Sequence, residues 1–80
     1  MRYSTISIIA RSNDISDRIN EILHEYSDIV IGRIGIPQPK DSVYIITVVL
    51  KENGSSSVDE LFERIKLLKE VKANILSLDV

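Results

Sequence analysis

Residues 43–50 read Val-Tyr-Ile-Ile-Thr-Val-Val-Leu. Only Tyr44 and Thr47 carry a polar side-chain atom, and a run of β-branched and aromatic residues of this kind predicts a β-strand. An antiparallel strand with one hydrated face would alternate apolar and polar residues. This stretch does not alternate, so we expect a central strand that is covered on both faces. No pattern of residues in the chain indicates a catalysed reaction.

The composition predicts one small domain without covalent or metal cross-links. The 80 residues, 1–80, fit a single domain, and a domain of this size buries only ~60% of its unfolded surface. There is no cysteine, and the one histidine, His24, falls opposite the apolar side of a predicted helix. A lone histidine is a poor metal site, so we expect a solvated His24, no metal and no cofactor. Oligomerisation is the remaining common means of stabilising so small a core.

Charge and hydropathy argue against nucleic acid and membranes as partners. The net charge is −2 and the isoelectric point is about 5.3, whereas a nucleic-acid-binding domain is expected to be basic. The chain shows neither a signal peptide nor an apolar segment long enough to span a bilayer. We therefore expect a cytoplasmic protein that does not contact nucleic acid directly.

Hydrophobic periodicity predicts four strands and two helices. Apolar residues alternate in the strands and recur every three to four residues in the helices. Asn13 or Asp14 can cap the first helix, and Ser57 with Glu60 fits a capping box at the second. The predicted order is strand 2–10, helix 14–26, strand 28–37, strand 43–50, helix 58–70 and strand 72–80.

The second strand contains two glycines and one charge. Glycine inside a strand often marks a bulge or a close backbone approach. Alternation places Ile29, Ile31, Arg33 and Gly35 on one side, and Val30, Gly32, Ile34 and Ile36 on the other. Arg33 is then either a solvated edge residue, a contact for an anion, or a member of an interface ion pair.

This order predicts a ferredoxin-like α+β sandwich, a βαββαβ chain with a four-stranded antiparallel sheet and two helices on one face. Each helical crossover should be right-handed, and the first and third strands should be central. The opposite face has no cover in this sequence. A second copy of the chain is the simplest cover, so we expect a homo-oligomer, dimer or tetramer, formed through the open sheet face or a sheet edge.

Residues 23–37 read Leu-His-Glu-Tyr-Ser-Asp-Ile-Val-Ile-Gly-Arg-Ile-Gly-Ile-Pro and closely resemble the family of regulators of the iron-only hydrogenase system. The hallmark of that family is a helix end reading Leu-His-x-aromatic-Ser and a strand reading Gly-Arg-x-Gly-x-Pro. The matching positions are Leu23, His24, Tyr26, Ser27, Gly32, Arg33, Gly35 and Pro37. The family fold resembles ACT regulatory domains and the carboxy-terminal domain of the nickel-responsive repressor, which pair their sheets and bind effectors at subunit interfaces.

The resemblance implies a non-enzymatic, ACT-like regulatory domain that binds a small-molecule effector. It implies that Gly32, Arg33, Gly35 and Pro37 lie near an interface or a ligand pocket, with Arg33 as the anion partner. The equal alternative is that these glycines only relieve a twisted hairpin. The repressor's metal site, which uses several histidines and a cysteine, and its basic DNA-binding arm do not carry over to this chain.

Two other functions stay open. The chain could be a structural partner in a larger complex with no small ligand. It could also be an enzyme similar to acylphosphatases, which share this topology and use an arginine and an asparagine; Arg11 and Asn13 superficially fit. However, residues 11–14 contain no glycine to turn backbone amides toward a phosphate, so the enzyme is the remote alternative.

Overall fold

The chain folds in the predicted order of strand, helix, strand, strand, helix and strand. A computed structural model describes residues 1–11 and 14–80; Asn13, a predicted helix cap, lies outside these ranges. The elements are β1 (Arg2–Arg11), α1 (Asp14–Glu25), β2 (Val30–Gln38), a 3₁₀ turn (Pro39–Asp41), β3 (Val43–Glu52), α2 (Ser57–Lys66) and β4 (Val71–Asp79).

The four strands form one antiparallel sheet in the order β2-β3-β1-β4. β1 and β3 are central, as predicted, and β1 pairs along its length with β3 on one side and β4 on the other. Ile8, for example, stands opposite Ile46 of β3 and Ala73 of β4. This topology confirms the ferredoxin-like α+β fold.

The core lies between the helices and one face of the sheet. Alternate residues of β1 and β3 are fully buried there, and the apolar sides of α1 and α2 pack over them. Burying one isoleucine or leucine side chain contributes roughly 1.5–3 kcal/mol, so this layer supplies most of the driving force for folding. The fully buried apolar side chains include Ile6, Ile8, Ile19, Ile22, Ile46, Val48, Leu50, Val58, Leu61 and Ile65.

The opposite face of the sheet, which we call the open face, carries no layer from residues 1–11 and 14–80. Ile34 of β2 is 66% exposed and Leu76 of β4 is 74% exposed. β3, which lies between β2 and β1, is apolar on both sides, as predicted. Within the described ranges only its helix side is covered. Register and alternation place on the open face Tyr3, Thr5, Ser7, Ile9, Arg11, Gly32, Ile34, Ile36, Gln38, Val43, Ile45, Thr47, Val49, Lys51, Lys72, Asn74, Leu76 and Leu78.

The start of α2 differs from the capping box that the sequence predicts. Ser57 is the first helical residue rather than the cap. The buried carboxylate of Glu52, at the end of β3, accepts a hydrogen bond from the backbone N–H of Val58 at 3.1 Å. Glu60 does not reach back to the helix start; it accepts from the hydroxyl of Tyr26 at 2.9 Å. The expected capping box is wrong because a carboxylate from the end of the preceding strand takes its place.

The end of α2 was predicted at Glu70, but the helix ends at Lys66. Leu67 follows with 82% of its surface exposed, and Glu70 adopts a left-handed conformation with φ 64°. This conformation ends the turn and lets β4 begin one residue earlier than predicted, at Val71. Neither α1 nor α2, nor any other helix in the described ranges, is long and apolar enough to cross a membrane.

A polar cluster joins the two helices. The hydroxyl of Tyr26 donates to Glu60 and accepts from Arg64 at 3.3 Å. Arg64 also donates to both carboxylate oxygens of Glu25, at 3.0 Å each, and its guanidinium lies 5.6 Å from the centre of the Tyr26 ring. The hydrogen bonds from Arg64 lower the pKa of the Glu25 carboxyl. The cluster holds the end of α1, and the segment that leads into β2, against α2.

Candidate functional site

A cleft lies between the exposed side of α1 and the outer edge of β2. It encloses about 840 Å³, and Leu23 and Val30 contribute its apolar part. The α1 side chains recur at helical spacing, which puts them on one side of the helix. β2 is an edge strand that pairs only with β3, so the cleft is open to solvent. The lining residues are Asp17, Asn20, Glu21, Leu23, His24, Ser27, Val30 and Arg33.

A β-bulge turns Arg33 toward this cleft. Between Val30 and Gly32, β2 contains one residue more than its partner strand. An even register would place Arg33 opposite Thr47, on the open face. The extra residue places it opposite Val48, on the side of the helices. The expected bulge at a glycine is confirmed, whereas the predicted alternation is wrong for Val30, which shares the side of Arg33.

Arg33 is the cation of the cleft that has no acidic partner. Its guanidinium donates to the side-chain oxygen of Asn20 at 2.8 Å, and within the described ranges no carboxylate lies within 4.0 Å of it. Glu21, on the same wall, pairs with Arg18 at 3.3 Å. The free N–H groups of Arg33 can therefore bind an anionic group of a ligand, because a guanidinium presents its donors in a planar fork.

The described part of the chain shows no metal cluster and no activated nucleophile in this cleft. His24 shares the lining with Asp17 and Glu21, but the three do not come together as metal ligands. Ser27 bonds to His24 only through backbone atoms, at 3.3 Å. The cleft's chemistry is that of binding: a guanidinium, an imidazole, an amide, a hydroxyl and two carboxylates beside an apolar surface.

Gly35 and Pro37 lie on the same side of β2 as Arg33, next to Tyr44 rather than in the cleft. A Cβ atom on Gly35 would collide with the hydroxyl oxygen of Tyr44 and lie 3.1 Å from its Cζ. Pro37 stands directly opposite Tyr44 in the register. Gly32 faces the open face, and a Cβ there would meet no described atom within 4 Å. The four predicted site residues thus occupy three places, and only Arg33 lines the cleft.

The part of the cleft that α1 contributes was not predicted from the sequence. His24 is exposed, as predicted, but it lines the cleft together with Asn20 and Ser27. The signal was present in the sequence. His24, Ser27 and Arg33 belong to the same motif, and residues from a helix end and the following strand meet when a short turn joins the two elements.

The fold and the cleft define a small α+β sandwich domain with an open cleft at one sheet edge. A family model described as "TM1266-like: Iron-only hydrogenase system regulator, putative" matches residues 2–74. The chain belongs to this family, which confirms the resemblance found in the sequence.

The chain is also similar to a curated relative and to two solved structures. The chain is 30% identical over 81 residues to a "Putative nickel-responsive regulator" from Methanocaldococcus jannaschii, covering 99% of this chain and 56% of that protein. The chain thus spans about half the length of this relative. The structure of uncharacterized protein TM1266 from Thermotoga maritima superposes with a TM-score of 0.86 at 22% identity, covering 99% of this chain and 100% of the other.

A formyltetrahydrofolate deformylase from Pseudomonas putida KT2440 superposes with a TM-score of 0.62 at 11% identity, covering 95% of this chain and 28% of that enzyme. At these identities the solved structures show the fold alone. The family that matches this chain and the curated relative are both described as regulators. These descriptions support a regulatory role and give no evidence of catalysis.

Proposed function

We propose that this chain is a non-enzymatic regulatory domain of the cytoplasm that assembles into homo-oligomers and binds a small effector, in connection with the iron-only hydrogenase system. The family and the curated relative, both described as regulators, support the regulatory part. The observation that carries the assembly is the open face, an apolar sheet surface that no described residue covers.

The size and composition of the open face fit a second copy of the chain. Ile34 and Ile36 of β2, with Leu76 and Leu78 of β4, are exposed along its two sides. Four strands ~4.8 Å apart, with about nine residues each at ~3.3 Å per residue, give a surface of roughly 570 Å². Stacking two such faces buries roughly 1,100 Å² if each face is treated as flat, without the additional area of protruding side chains. This is close to the ~1,200–2,000 Å² of stable specific interfaces.

The cleft supports the effector part of the proposal. Arg33 reaches it only because β2 is bulged, and its guanidinium bonds to an amide oxygen rather than to a carboxylate. A small polar molecule with an anionic group facing Arg33, and an apolar part against Leu23 and Val30, fits this lining. Such a ligand would stabilise the contact between α1 and the edge of the sheet.

Sedimentation velocity tests the assembly. We expect the wild-type protein to sediment as a dimer or tetramer at micromolar concentration. Ile34→Glu, which buries a carboxylate in the interface, should give a monomer. The matched control is Leu67→Glu, because Leu67 is equally apolar and 82% exposed but lies in the turn after α2. A monomeric wild-type protein, or equal behaviour of the two variants, would contradict assembly through the open face.

Native mass spectrometry of the gently purified protein tests the effector. We expect each assembled subunit to retain an added mass, and Arg33→Ala to lose it. Lys40→Ala is the control, because Lys40 is an exposed cation in the β2–β3 turn. A bare wild-type oligomer would contradict the effector and favour the structural-partner alternative.

A further inference from the structure

The charged groups on the open face all have the same sign. Register places three cations there, Arg11, Lys51 and Lys72, and none of the described strand residues on this face carries a carboxylate. The whole chain has more acidic than basic residues, at 12 to 10. The acidic residues therefore lie elsewhere, and the open face is positive on a chain of net negative charge.

Arg11 and Lys72 lie together at one end of this face. Lys72 stands opposite Ile9 in the register, so Arg11, two residues further along β1, is its diagonal neighbour on the same face, within reach of a long side chain. A cavity of about 460 Å³ lies between them, with Ile9 and Val43 as its apolar part.

Neither cation has an acidic partner in the described structure. Glu70 lines the same cavity and Asp41 lies in the turn before β3, yet no carboxylate comes within 4.0 Å of Arg11 or Lys72. Lys51, at the far end of the face, differs because its ammonium group lies 5.7 Å from the centre of the Tyr3 ring.

Stacking two open faces would bring three cations from each copy into one interface. This holds whichever way the two faces are turned relative to each other, because the described strand residues of the face include no carboxylate that could neutralise the partner's cations. Charges that lose water at an interface without gaining a counter-charge oppose association. An anion that binds at the end of the face would remove this penalty, and by linkage dimerisation would strengthen the binding of the anion.

We propose that a small oxyanion of the phosphate class binds between Arg11 and Lys72 and is enclosed when a second copy covers the open face. The guanidinium offers two parallel donors to phosphate oxygens and the ammonium group a point charge. The site is incomplete in one copy, where the cavity opens onto the uncovered face. This proposal rests on the proposed assembly through the open face.

The experiment measures the dimer dissociation constant by sedimentation equilibrium in chloride and in inorganic phosphate at equal ionic strength and pH. We expect phosphate to tighten the wild-type dimer about tenfold. Arg11→Gln and Lys72→Gln should each dimerise more tightly than wild type in chloride, because a repulsive charge is gone, and should lose the phosphate response. Arg18→Gln, a change on the exposed side of α1, should behave like wild type.

The possible results separate the anion site from the assembly. A phosphate effect of the same size in Arg11→Gln and Lys72→Gln would show a general salting-out of apolar surface and would overturn the site. A wild-type dimer that does not respond to phosphate would also overturn the site, while leaving the assembly intact. A wild-type monomer in both buffers would overturn the assembly and the site with it.

Discussion

Replacing Gly35 with alanine should destabilise the fold by about 1 kcal/mol, although alanine is usually the better strand residue. A Cβ on Gly35 would collide with the hydroxyl oxygen of Tyr44 and would lie 3.1 Å from Cζ and 3.3 Å from Cε1 of the same ring. Tyr44 is half-buried on the helix side of the sheet. The ring must therefore move away from its packed position to admit the new methyl group.

The magnitude follows from two opposing effects. Removing the backbone freedom of a strand glycine gains roughly 0.5–1 kcal/mol, whereas forcing an extra group into a packed site costs roughly 1–3 kcal/mol. Gly32→Ala is the matched control, because a Cβ there meets nothing within 4 Å, and it should stabilise the protein by about 0.5 kcal/mol. The two glycine variants should thus differ by roughly 1–3 kcal/mol.

Urea unfolding at one fixed protein concentration measures this difference. With an m-value of about 1 kcal/mol/M for a small domain, 1 kcal/mol shifts the midpoint by about 1 M. Tyr44→Phe removes the colliding oxygen, so Gly35→Ala should cost about 1 kcal/mol less in that background than in wild type. If Gly35→Ala unfolds at the same urea concentration as Gly32→Ala, or if Tyr44→Phe gives no rescue, the close approach of ring and backbone is refuted.

Three further predictions concern the core and its polar clusters. Glu52→Ala should lower the free energy of unfolding by about 2 kcal/mol, because Val58 loses the acceptor of its backbone N–H. Ser57→Ala should be nearly neutral, and equal urea midpoints for the two variants would contradict the role of Glu52 and favour the capping box. Glu25→Gln should destabilise the protein at neutral pH but not in acid. Arg64 lowers the pKa of Glu25, so the stabilisation by this pair is lost as the pH falls through that lowered pKa. Thermal unfolding across pH measures this, and a destabilisation that persists in acid would contradict the pairing. Leu61→Ala should lower the free energy of unfolding, measured in urea, by about 2–5 kcal/mol, because Leu61 is fully buried. A loss of less than about 1 kcal/mol would contradict the packing of α2 on the sheet.

The order of elements was predictable because each signal is local. The apolar run from Val43 predicts a central strand by composition alone, and the alternation of β4 separates Leu76 and Leu78 from Ala73 and Ile75, which lie on the opposite side of the strand. The helical spacing of Ile19, Ile22 and Leu23 likewise identifies the buried side of α1. In each case the residues that carry the signal lie within one element.

The errors arose where residues of another element decide the local structure. Ser57 and Glu60 match a capping box, yet Glu52 takes its place from the end of β3. The side of β2 on which Val30 lies depends on a register shift against β3 that alternation within one strand does not report. The cleft is similar, because His24, Ser27 and Arg33 belong to the motif, but the motif does not show that they meet between α1 and β2.

The position of β1 in the sheet affects how the chain can fold while it is being synthesised. β1 leaves the ribosome before the other strands of the sheet, but Arg2 pairs with Asp79 and Ala10 with Val71, about 60 to 80 residues later in the chain. Pairings between such distant residues slow folding, and a strand whose N–H and C=O groups wait for a partner can pair with another chain. The nascent protein must therefore keep β1 from such contacts until β4 has emerged.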